Sequence, residues 1–120
     1  MYLHDFAADG FKGMVKEFTD RKDPVDILEG EVLLASYRYE SYDGEAFVLF
    51  ARDGKLYEVN ASHCSCYGLE GQWEPEETSV VALRARMKNG HLGAAGRFEY
   101  SFSSELASVL DQWESANGDS

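Results

Sequence analysis

Five consecutive apolar residues, Ala46-Phe47-Val48-Leu49-Phe50, lie between Tyr42-Asp43-Gly44 and Arg52-Asp53-Gly54-Lys55. A run that short, closed on both sides by turn chemistry, reads as a central strand buried on both faces. A sheet is therefore the centre of whatever this chain folds into. Asp53-Gly54 can take the two positive φ angles of a type I′ turn, which predicts a hairpin from Glu45–Ala51 into a third strand, Leu56–Asn60. Upstream, Glu31–Tyr39 is rich in Val, Leu and Tyr and supplies the first strand of a three-strand antiparallel meander.

Helical periodicity flanks this meander. Within Asp5–Arg21, Phe11, Met14, Val15 and Phe18 fall at i, i+3, i+4 and i+7, one stripe of an amphipathic helix that Gly10 and Gly13 weaken. Pro24 disfavours helix at Asp23 and closes the element. After the meander, Thr78 or Ser79 can cap a helix carrying Val80, Leu83 and Met87, with Arg84, Arg86 and Lys88 near its C-terminal end and Asn89-Gly90 as the stop. Arg97–Phe102 alternates Phe98, Tyr100 and Phe102 as a fourth strand. Ser103 or Ser104 then caps a helix bearing Leu106, Val109, Leu110 and Trp113, and the last residues, from about 115, fray. The expectation is one α+β domain over residues 1–120: a three- to four-stranded antiparallel sheet packed with two to three helices.

At 120 residues and 44% hydrophobic, the chain is long and apolar enough for one core and too apolar for the disordered class. Its 22 acids against 11 bases give a formal net charge of −11, spread over both halves of the chain. Direct nucleic-acid or anionic-membrane binding needs clustered Lys and Arg, so both are disfavoured. No apolar run of membrane-spanning length and no signal-peptide pattern occurs, and a cytosolic protein is expected.

Between the third strand and the next helix the periodicity stops, at Ser62-His63-Cys64-Ser65-Cys66-Tyr67-Gly68-Leu69-Glu70-Gly71-Gln72-Trp73-Glu74-Pro75-Glu76-Glu77. His63, Cys64 and Cys66 have the residue types of a metal site that His91 could complete. Cys-x-Cys, however, lacks the spacer that turns both thiolates of a zinc knuckle onto one ion. Two reduced thiols packed in the core are expected, with no metal and no cofactor. Neighbouring strand residues point to opposite faces, so His63 is badly placed to activate Cys64, and no nucleophile elbow or phosphate loop is present. A non-enzymatic protein is the expectation. Trp73 fits two readings, an interface anchor or a lid on one end of the core, and Tyr37, Tyr39, Tyr42 and Tyr57 fit either a tyrosine-rich binding face or half-covered strands.

Residues 31–87, above all Lys55-Leu56-Tyr57-Glu58-Val59-Asn60 leading into the segment from Ser62 to Thr78, resemble a family of small bacteriophage and prophage proteins of no established activity. The resemblance implies a short accessory phage protein in the cytoplasm of a bacterial host. Small acidic proteins in that setting include inhibitors of host defence, anti-CRISPR proteins among them. Glu70, Glu74, Glu76 and Glu77 come without an intervening base, and Glu99, Glu105, Asp111 and Glu114 follow Arg97 with no further Lys or Arg. Side by side, these stretches with Trp73 would form a negative face able to occupy a basic groove as a phosphate backbone does. The expected partner is a host defence protein or ribonucleoprotein effector complex. The alternatives are a metal- or thiol-dependent accessory enzyme centred on His63, Cys64 and Cys66, and a structural or regulatory homodimer.

Overall fold

The computed structural model describes residues 2–7, 10–18, 29–40, 43–63, 73–88 and 103–117. They form an α+β domain around a five-stranded mixed sheet in the order β1-β2-β3-β4-β5. The strands are β1 (Tyr2–His4), β2 (Val32–Glu40), β3 (Asp43–Arg52), β4 (Lys55–His63) and β5 (Glu76–Thr78); the helices are α1 (Gly10–Phe18), α2 (Val80–Lys88) and α3 (Ser103–Asn117). Short 3₁₀ turns at Asp5–Ala7 and Glu29–Glu31 lead into α1 and β2.

The meander forms as its sequence predicts. Asp53 and Gly54 take φ of 54° and 79°, Arg52 pairs with Lys55, and the ladder runs from there to Gly44 opposite His63. All five residues of Ala46–Phe50 are buried. Alternation sends Ala46, Val48 and Phe50 to one face with Phe6, Met14 and Phe18, and Phe47 and Leu49 to the other with Val80, Leu83, Leu106 and Leu110. Thus α1 covers one side of the sheet, and α2 and α3 cover the other. A register shift between Val32 and Leu34 inserts Leu33 as an extra residue. Leu33 and Leu34 consequently both serve the α2/α3 side, the local effect of a β-bulge.

Two short edge strands exceed the sequence expectation. β1 pairs in parallel with β2, Tyr2 opposite Ala35 and His4 opposite Tyr37. A parallel pair needs a crossover, and α1 lies within it. Asp5–Ala7 form a 3₁₀ turn rather than helix, and α1 begins at Gly10, whose φ of +60° suits glycine. β5 pairs antiparallel with β4 inside what reads as an aperiodic loop. Three residues are too few for alternation to register.

α2 starts where its cap dictates. The Ala82 N–H donates to Ser79 Oγ at 3.1 Å, and the Leu83 N–H donates to the Ser79 carbonyl at 3.0 Å. Ser79 is thus the N-cap residue. The fourth-strand expectation at Arg97–Phe102, along with Tyr42, lies outside the described residues.

Candidate functional site: the acidic β5 edge and the helix beside it

β4 positions four side chains by alternation. Lys55 and Tyr57 face the α1 side; Leu56 and Glu58 face the α2 side. Glu58 is buried there, opposite Leu49 on β3 and opposite Glu76 on β5. A carboxylate so placed must be paired. Arg86 Nη1 donates to both Glu58 oxygens, at 2.6 and 2.7 Å, and Asn60 Nδ2 donates to Oε1 at 2.7 Å. Burial pushes the Glu58 carboxyl up, but hydrogen bonds from Arg86, Asn60 and Thr78 outweigh it and hold the group below the usual carboxylate range. The charge is locked in place and enclosed by its donors, an arrangement suited to fixing α2 on the sheet rather than to proton transfer.

The sequence reading missed Glu58. Its signal was there, since a glutamate two residues after Leu56 must share that residue's face.

Two residues earlier on α2, Arg84 Nη2 donates to Asp111 Oδ1 and Glu114 Oε1, both at 2.6 Å. Asp111 and Glu114 stand at i and i+3 on α3, so one guanidinium reaches both. The bonds to Asp111 and Glu114 raise the already high pKa of Arg84, which stays charged. Glu105, in the first turn of α3, is half-buried, and its Oε2 has no hydrogen-bond partner among the described residues.

The described members of the predicted acidic face stand on different elements. Glu74, Glu76 and Glu77 are exposed at and just before β5, and Lys55 Nζ lies 3.5 Å from Glu77 Oε1. Asp111 and Glu114 belong to α3 and pair with Arg84 of α2, while Arg86 of the same helix pairs with Glu58. Glu70 and Glu99 lie outside the described residues.

Trp73 turns inward. Its ring stacks on Phe50 at 5.8 Å and meets Phe18 edge-on at 5.2 Å, which makes it a lid over the α1-side core. Its packing follows the lid reading, because α1 and β3 offer it two aromatic partners. Tyr37 is buried against Phe6, and Tyr57 is half-buried on Phe50, so these two form no open tyrosine face. The side chain of Tyr39 is outside the described set.

His63 ends β4, while Cys64, Cys66 and His91 lie outside the described residues. Among the described residues no cluster of three or more His, Cys, Asp or Glu side chains is disposed to hold a metal ion. Among them, too, no helix is long and apolar enough to cross a membrane. Comparison of the chain with protein-family models, with curated proteins and with solved structures returns no match.

Proposed function

We propose that this protein is a phage-encoded, non-enzymatic inhibitor of a bacterial defence system, anti-CRISPR-like, acting in the host cytoplasm. It binds a nucleic-acid-handling effector and covers the effector's basic nucleic-acid site with its own acidic surface. The observation that carries this reading is the β5 edge: Glu76 and Glu77 are exposed at adjacent positions of β5, one toward each face of the sheet, and Glu74 is exposed two residues before the strand, in a chain of net charge −11. Preorganised carboxylates of one sign are what a basic groove attracts, and they speed the encounter as well as fix its register. Asp111 and Glu114, already held by Arg84, contribute less. The resemblance of residues 31–87 to small phage proteins supports the setting.

The test is biological and direct. Bacteria carrying an active CRISPR system and expressing this protein are challenged with a targeted phage, and plaque formation is counted. Wild-type protein restores plaques on at least one such system, and the E74K/E76K/E77K variant, folded by circular dichroism, does not. Restoration that survives this charge reversal defeats the mimicry mechanism.

A further inference from the structure

The β5 edge offers more than charge. Asp53-Gly54 closes a two-residue turn, so Arg52 and Lys55 are a hydrogen-bonded pair and, by alternation, so are Phe50 and Tyr57. Leu56 and Glu58 then turn their backbone groups toward β5, where they face Thr78 and Glu76. Tyr57 and Glu77 are left as a non-hydrogen-bonded pair, the kind in which side chains stand closest. The N–H and C=O of Glu77 point away from β4, to the side on which, among the described residues, the strand order ends.

Tyr57 is half-buried, its ring 5.4 Å from Phe50 and nearly parallel to it at 19°. An aromatic face and a carboxylate thus lie together at a sheet edge. The fold already uses that combination for a guanidinium of its own: Arg52 Cζ sits 5.6 Å from the Phe50 centroid while Nε and Nη2 donate to the two Glu31 oxygens at 2.9 and 3.1 Å.

We propose that the β5 edge binds an extended, arginine-bearing segment of a basic partner protein, with the guanidinium stacked on Tyr57 and paired with Glu77, and the segment's backbone bonded to the N–H and C=O of Glu77. The inference rests on the acidic-surface reading and narrows it to a partner chemistry. Charge complementarity chooses the occupant: exposed Glu74, Glu76 and Glu77 repel a second copy of this edge and attract a cationic strand. Lys55 is a weak internal competitor, since its 3.5 Å contact with Glu77 is made between two largely exposed side chains. Arginine is favoured over lysine because its planar fork both stacks on a ring and bonds a carboxylate at two points. Pro75 has no N–H to give, so backbone pairing is short and the side chains set the selectivity.

The test is a titration of the ¹⁵N-labelled full chain with three extended peptides identical except for alternate Arg, Lys or citrulline. The Arg peptide binds about tenfold more tightly than the Lys peptide, and citrulline abolishes binding. The amide of Glu77 and the ring of Tyr57 move most. E77Q weakens the Arg peptide by about fivefold or more, and Y57F, which keeps the ring, does not. Equal binding of Arg and Lys peptides, or shifts centred on Asp111 and Glu114, overturns the inference. If a basic protein such as a purified CRISPR effector still binds in a salt-sensitive manner that E77Q and Y57L leave unchanged, the edge site falls and the acidic-surface reading stands. If neither peptide nor effector binds, both fall.

Discussion

Arg86 reaches from α2 to the sheet and holds both carboxylate oxygens of Glu58, whose side chain is only 5% exposed, through one nitrogen. This pair joins the helix to a strand whose neighbours there are Leu49 and Leu56, so its two members are unequal in what their loss does. Removing Arg86 strands a buried charge. R86A is expected to cost about 2 kcal/mol in urea unfolding, the cost of an unsatisfied buried acceptor. E58L/R86L, which removes both charges and fills the space, costs less than R86A alone. A double variant worse than R86A contradicts this account.

The same pair sets an acid limit. Because the folded pKa of Glu58 is depressed, its contribution is complete above the unfolded value of about 4.3 and is lost as pH falls through the lower folded value. Wild-type stability is therefore expected to fall below about pH 4.3 more steeply than that of E58Q, which has no proton to take up at that position. Parallel pH–stability curves for the two proteins would refute it.

Arg84 is a different case. Its partners Asp111 and Glu114 are 72% and 37% exposed, and the arginine itself is 39% exposed. R84A is expected to cost less than about 1 kcal/mol, with that cost shrinking as salt rises. A larger, salt-independent loss would mean that this contact, not Glu58–Arg86, secures α2.

Local signals at Gly54 and Ser79 make separable contributions. Gly54 has open space around a would-be Cβ but a φ of +79°, so G54A suffers from backbone strain alone, by about 1 kcal/mol. S79A loses the Ala82 N–H acceptor and costs about 1 kcal/mol, while S79D restores it. The two sites are independent, so thermal denaturation of G54A/S79A should show additive losses.

Trp73 should behave as a core residue. W73A is expected to destabilise by about 2 to 4 kcal/mol through loss of its Phe50 and Phe18 contacts. Little loss of stability, with loss of partner binding alone, would return Trp73 to the role of a surface anchor.

What was legible in the sequence follows from which forces act locally. The meander could be read because Asp53-Gly54 and the run Ala46–Phe50 each carry a short-range cause, a turn geometry and two-sided burial. The stripes Phe11-Met14-Val15-Phe18 and Leu106-Val109-Leu110 could be read for the same reason. β1 and β5 could not, because three residues acquire strand geometry only when Val32–Glu40 and Lys55–His63 offer them an edge. Nor could the pairing of α2 with the α3 carboxylates, since no periodicity tells that Arg84 will meet Asp111, 27 residues away. The inward turn of Trp73 likewise depends on Phe18 and Phe50 arriving from distant elements.

The central claim is that carboxylates at β5 compete with nucleic acid for a basic site. The most direct measurement is target-DNA binding by purified CRISPR effector complexes, titrated with wild-type protein and with E74K/E76K/E77K, at about 50 and about 300 mM salt. The account predicts that wild-type protein displaces DNA from at least one effector, more strongly at low salt, and that the triple variant loses at least about tenfold in potency. Inhibition that charge reversal and salt leave unchanged, or no displacement from any effector, would contradict it.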